Sequence, residues 1–395
     1  MQFSFKFTKP YKNSRARLGK LATPHGVVNT PGFIFCATRA AIRGVAPIQM
    51  KENNTQIILA NTYHLMLQPG SKIVQAMGGL HKFMSWDGPM LTDSGGFQIF
   101  SLQHKSVAQE IKSSRQLQSL SDRSLLGISE EGAVFKSYLD GSKHLLTPEK
   151  SIEVQRELGA DIILVLDECT PFNVDKEYTR ASMEMSHRWA ARSYEEFSRH
   201  ADGSQVLYGI IQGGVYDDLR KESCDFVNSQ SGFFGHAVGG SLGANKDQMA
   251  EIVDITCKRL DENRPIHLLG IGGIKDIFRA VESGIDTFDC VHPTRIARHG
   301  GALVKGGDVN GREHINLFNN QYQLDQDPIE KACECYTCKN FSRGYLRHLL
   351  KAREMLGPQL IAIHNVRFMN TLMEDIREYM AEGRDLNKLK LLYIA

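Results

Sequence analysis

The stretch Ile162-Ile163-Leu164-Val165-Leu166-Asp167-Glu168-Cys169-Thr170-Pro171 runs from five apolar residues straight into an acid and, shortly after, a proline, with a helical pattern over 176–200 behind it. A short apolar run without polar alternation suits a strand buried on both faces, as in a parallel sheet. The polar residues after it mark the carboxyl end of the strand, and the helix is the crossover to the next one. Working outward, the same unit recurs. Runs of this kind stand at 33–36, 56–60, 89–92, 162–166, 206–211, 235–238, 267–269 and 287–288, with helical patterns clearest at 176–200, 217–229, 246–260 and 274–282. Eight strand–helix units within about 250 residues predict an α/β fold of the TIM (β/α)8 barrel type, whose working residues lie just past the strand C-termini.

Those ends carry Asn61, Asp93, Asp167, Gln212, Gly239-Gly240, Gly270 and Asp289. A helix N-cap accounts for any one aspartate in such a place. Three acids at the strand ends of one barrel exceed what capping asks for, and predict a binding site. Residues 103–131, rich in Ser and Gln and weakly periodic, read as an insertion, a loop or marginal helix over the barrel opening. After Asp308 the pattern turns helical. The expected division is therefore a barrel over 1–309 and a helical subdomain over 310–395.

That last segment contains Cys333-Glu-Cys335-Tyr-Thr-Cys338 and, further on, His364. Three thiolates and one imidazole are donors zinc prefers, and four of them fill a tetrahedral shell, so the expected ion is one structural Zn2+ with no open position for chemistry. His348 also follows the cysteines. His364, inside the apolar run 360–364, suits the role better because a buried imidazole needs a partner.

Composition sets wider bounds. The chain has 395 residues, ample for a large core, and its 47 Lys+Arg against 45 Asp+Glu leave no global field for a polyanion, so a nucleic-acid partner has to be met by a local basic patch. The other five cysteines, Cys36, Cys169, Cys224, Cys257 and Cys290, are scattered, as reduced thiols are. The start of the chain lacks an apolar leader and no run approaches a membrane span of about 20 residues. A cytoplasmic protein that does not contact membrane is expected.

Further strings punctuate the strand ends: Asn61-Thr62-Tyr63-His64-Leu65, Thr92-Asp93-Ser94-Gly95-Gly96-Phe97-Gln98, Leu166-Asp167-Glu168-Cys169, Gly209-Ile-Ile-Gln212-Gly213-Gly214, His236-Ala-Val-Gly239-Gly240 and Phe288-Asp289-Cys290-Val291-His292-Pro293-Thr294-Arg295. In this order, with the cysteine cluster behind them, they resemble the bacterial tRNA-guanine transglycosylases from about Arg15 to the C-terminal helices. The resemblance implies exchange of the wobble guanine of tRNAs with GUN anticodons for a 7-deazaguanine, either queuine or its aminomethyl precursor. By motif match it makes Asp289 the nucleophile and Asp93 the general acid/base. It places Asp167, Gln212 and Gly240 on the edge of the base, Ser94 and Asn61 beside them, and Phe97 and Leu269 on the two faces of the ring. Arg295 and Arg298 match arginines that contact the anticodon, and family members are commonly homodimers. The chemistry agrees, since breaking an N-glycosidic bond with retention asks for two displacements and a carboxylate that holds C1′ between them.

Departures from the pattern bear on the base. Where users of the aminomethyl precursor resemble Gly-Gly-Leu-Ala-Val-Gly-Glu, this chain reads Gly239-Gly240-Ser241-Leu242-Gly243-Ala244-Asn245. Gly243 in place of valine removes an isopropyl group and Asn245 in place of glutamate removes a partner for a cationic amine, which favours the bulkier queuine. Eukaryotic queuine users look similar at the glycine, whereas Cys169 follows the bacterial pattern. His292 stands where the family has an apolar residue, and is read as a core or RNA-facing histidine. A non-catalytic tRNA-binding subunit is the rival reading, and the presence of both Asp93 and Asp289 argues against it.

Overall fold

A computed structural model describes residues 2–8, 10–12, 14–103, 124–171, 173–308 and 311–394. Eight parallel strands close into a barrel in chain order: Gly32–Ala37, Ile58–Ala60, Met90–Thr92, Ile162–Leu164, Val206–Ile211, Gly235–Val238, Ile266–Leu268 and Thr287–Cys290. Every run singled out in the sequence contributes one of them. By packing the chain divides into two units, Met1–Leu59 with Leu268–Ala395, and Ala60–His267.

In the unit Ala60–His267, the fourth to sixth strands pair in parallel, with Ile162 opposite Val206 and Tyr208 opposite Gly235. The crossover helices begin where the sequence supplies caps. Asp175 caps Lys176–Arg199 by accepting from Tyr178 N, Asn245 caps Lys246–Arg259 by accepting from Asp247 N and Gln248 N, and Thr147 caps Pro148–Leu158 with a proline in its first turn. One buried glutamine acts as a strand bridge. Gln155 accepts from Leu164 N at 2.9 Å and Thr92 Oγ1 at 3.0 Å, and donates to Leu164 O at 2.8 Å. The expectation for 103–131 is corrected at its end: Leu125–Ser129 is a strand in an antiparallel sheet with Gly132–Lys136 and Lys143–Leu146, while 104–123 lies outside the described residues. Leu125, Ala133, Phe135 and Leu146 bury one side of this sheet with Tyr63 and Trp189, an alternation that polar content masked.

In the other unit, a sheet of Ser4–Phe7, Gly19–Thr23 and Gly26–Thr30 precedes the first barrel strand. Arg17 leaves it to form a buried, two-pronged pair with Asp286 (Nε–Oδ1 3.0 Å, Nη2–Oδ2 2.6 Å), just before the eighth strand. After the barrel come the helices Tyr336–Asn340, Arg343–Lys351, Leu356–Ala381 and Leu386–Tyr393. No helix among the described residues is long and apolar enough to cross a membrane.

Candidate active site and metal centre

Within Ala60–His267 the polar strand ends are wired together. Asp93, directly after the third strand, accepts from Thr62 N at 2.8 Å through Oδ1 and from the Asn61 side-chain amide through Oδ2. Asn61 meanwhile caps the helix Thr62–Leu67 by accepting from His64 N, so the capping reading and the site reading meet in one residue. Phe97 is exposed near the start of the helix Gly96–Gln103.

Asp167 lies three residues past the end of the fourth strand and is buried. Ser94 Oγ donates to its Oδ1 at 3.3 Å and Gln212 Nε2 to its Oδ2 at 2.5 Å. Burial pushes the carboxyl up to about 6, against the pull of those two donors, and Glu168 adds to the rise. The folded protein therefore keeps this proton across the interval between the ordinary value of 3.8 and about 6, where the unfolded chain has lost it. Stability contributed by this group falls as pH rises through that window and is level above it. Cys169, next but one, is pushed up to about 12, first by burial and then by Asp167, and stays a thiol. Gly240 follows the sixth strand with φ +72°, and a side chain there would collide with the amide of Gln212. Gly243 has φ +115°, and a Cβ would meet Gln248 Oε1 at 2.5 Å. Gln248 thus occupies the space beside Gly243, and Asn245 spends its side chain on the helix cap.

In the unit that contains Leu268–Ala395, Asp289 sits within the eighth strand rather than after it, buried, and paired in register with Ile34 of the first. Its Oδ1 accepts from Gly270 N at 2.9 Å and its Oδ2 from the Cys36 thiol at 3.5 Å. Leu269 is half-buried just past the seventh strand. The helix His292–Ala297 follows the aspartate at once, with Arg295 and then Arg298 exposed. Burial, Arg43 and Arg295 together lower the Arg298 pKa, so these three cations form a local positive patch on a nearly neutral chain. Arg43 escaped the sequence reading because nothing in its neighbourhood marks it. His292 is half-buried and faces His314, ring centroids 6.4 Å apart.

Cys333, Cys335, Cys338 and His364 converge, each offering a ligand atom within 4.8 Å of the others, a set able to hold a metal ion. His364 Nδ1 lies 3.6, 3.8 and 3.3 Å from the three sulfurs. Its Nε2 donates to Leu303 O at 2.8 Å, which fixes the tautomer that leaves Nδ1 free to ligate. His348 stands outside the cluster and stacks on Tyr345.

A closed parallel barrel with polar strand ends, followed by helices that carry a Cys3His set able to hold a metal ion, is the layout of a (β/α)8-barrel enzyme. Sequence comparison narrows the class: the profile described as queuine tRNA-ribosyltransferase matches residues 12–390. Among similar chains, queuine tRNA-ribosyltransferases from Roseiflexus sp. (strain RS-1), Halothermothrix orenii and Thermoanaerobacter sp. (strain X514) are 44%, 45% and 45% identical. The alignments cover 97%, 97% and 98% of this chain and 97%, 95% and 96% of theirs. The chain belongs to the queuine tRNA-ribosyltransferase family.

Proposed function

We propose that this protein replaces guanine at the wobble position of tRNAs with GUN anticodons by a 7-deazaguanine, through a covalent intermediate on Asp289. Family membership over residues 12–390 carries the reading. Asp289 Oδ attacks C1′ as the C1′–N9 bond breaks, and Asp93 delivers the proton that lets guanine leave neutral. Asp93 then takes the N9 proton of the incoming base, whose N9 attacks C1′ and expels the Asp289 carboxylate. Two inversions leave the ribose stereochemistry unchanged.

Recognition follows from hydrogen-bond supply. Guanine-like bases present N1–H and N2–H₂ donors and an O6 acceptor. The Asp167 carboxylate accepts from the donors, while Gln212, with one amide proton already on Asp167, turns the other to O6 beside Gly240 N–H. Phe97 and Leu269 take the ring faces, and Arg295, Arg298 and Arg43 take the anticodon phosphates and sugars. Zinc is the proposed ion of the Cys3His set, and it would fix the loop 333–338 to His364 without taking part in exchange.

Because the base binds the ionised Asp167, guanine affinity should be level above pH about 6.5 and fall about tenfold per unit below pH about 6. A pH profile of kcat/KM for guanine checks this, and the acidic limb should vanish in Asp167→Asn together with most of the activity.

The loss of a carboxylate at Asn245, which removes a partner for a cationic amine, favours queuine over the aminomethyl precursor. The test loads a substrate tRNA with labelled wobble guanine and offers each base in turn. Release by queuine alone is the expected result. Release by the precursor alone would overturn the base assignment, and release by neither from a bound tRNA would favour a non-catalytic tRNA-binding subunit.

A further inference from the structure

We propose that Arg220 is the positioning residue for base recognition, a buried guanidinium that ties together the two loops carrying Gln212 and Gly240. The inference rests on the base-exchange reading above and names the residue that shapes its recognition surface.

Arg220 lies in the helix Asp217–Ser229 with no solvent exposure. A guanidinium taken wholly out of water requires a nearly full set of acceptors. Arg220 finds them in backbone: Nε donates to Gly214 O at 2.8 Å, Nη1 to Ile211 O at 3.2 Å and Gly239 O at 2.9 Å, and Nη2 to Ser241 O at 3.0 Å. Ile211 and Gly214 bracket Gln212 in sequence, and Gly239 and Ser241 bracket Gly240. One planar fork therefore grips the carbonyls on either side of both groups assigned to the base edge. A trans peptide is planar, so turning Gly239 O onto Arg220 aims Gly240 N–H the opposite way, to the side where it meets Cys169.

The neighbours leave the loops no slack. At Gly213, with φ +117°, a Cβ would lie 2.7 Å from Arg220 N, so the loop rests directly on the helix. Three positions on from Arg220, Ser223 Oγ accepts from Gln212 N at 3.0 Å and lies 3.0 Å from His187 Nε2, whose ring stacks on Phe226. Burial lowers the Arg220 pKa to about 10, which leaves it a cation at neutral pH. Lysine would keep the charge and lose the fork.

The test compares the full-length, metal-loaded protein with Arg220→Lys and Ser223→Ala, and with Arg259→Gln, which breaks only an exposed pair with Asp225, as a control. The readouts are KM for guanine, KM for tRNA, the preference for guanine over hypoxanthine, and thermal unfolding. Arg220→Lys should raise KM for guanine by about tenfold or more and narrow the guanine preference, with KM for tRNA changed less than about twofold. Ser223→Ala should move the same two quantities less, and Arg259→Gln neither. A folded Arg220→Lys with wild-type KM and preference for guanine would overturn the proposal, as would a loss of thermal stability with no change in either. Should Arg220→Lys fail to fold, Ser223→Ala decides, and an unchanged KM for guanine there overturns it. A wild-type protein that binds tRNA yet exchanges no guanine would overturn the base-exchange reading, and this inference with it.

Discussion

Asp289→Asn should lower guanine exchange by about four orders of magnitude or more while tRNA binding and thermal stability stay near wild type. The expectation of a folded variant comes from the local geometry. Asn is isosteric, its Oδ1 can keep the bond from Gly270 N, and the Cys36 thiol at 3.5 Å is a weak partner that a carboxamide can replace. What asparagine cannot do is attack C1′ and later depart as a stable anion. A fall of less than about tenfold would instead mark Asp289 as a structural acceptor for the Gly270 turn. Initial rates of labelled guanine incorporation, with filter binding of tRNA alongside, separate the two.

Removal of the zinc proposed for the Cys3His set is the second large effect expected. The Cys3His set pins the loop before Tyr336–Asn340 to the helix Leu356–Ala381, which Thr337 Oγ1 also joins through Leu360 O at 2.6 Å. From the same helix, buried Asn365 donates to Pro293 O at 2.9 Å and Gly301 O at 3.0 Å and accepts from Leu303 N at 2.9 Å. These partners lie four to fourteen residues past Asp289, on both sides of Arg295 and Arg298. Four ligands gathered by one ion contribute folding free energy outright, so their loss should loosen the helix and, through Asn365, the segment bearing Arg295 and Arg298. Chelation, or Cys338→Ser, should release one zinc per chain, lower Tm by about 10 °C or more and cost tRNA affinity before guanine affinity. Metal analysis with calorimetry checks the first part, and separate titrations of tRNA and guanine the second.

The barrel was legible because each strand is short, apolar and closed by a polar or glycine residue. Helices of one or two turns, such as Thr62–Leu67 and Ser71–Ala76, were missed, since six residues cannot show a helical period. The sheet starting at Leu125 was missed because its glycines and serines dilute the alternation. At the site, motif strings pointed to the aspartates, Gln212 and the metal cluster. Arg220 carried no signal, because in Asp217-Asp218-Leu219-Arg220-Lys221 it reads as one more charge on a solvated helix face. Only the packing of that helix against two glycine loops turns it inward. Gly243 shows the reverse: its residue type invited a reading about free space, while its positive φ and the Gln248 amide give it a backbone reason to be glycine.

The measurement that bears most directly on this account is capture of the covalent intermediate. The wild-type protein is mixed with substrate tRNA, the reaction is quenched in denaturant, and protein-linked RNA is resolved and mapped by peptide mass spectrometry. The account predicts a denaturant-stable adduct on the peptide containing Asp289, released by added guanine before the quench and absent from Asp289→Asn. An adduct on a different residue, or active exchange of guanine by Asp289→Asn at the wild-type rate, would contradict it.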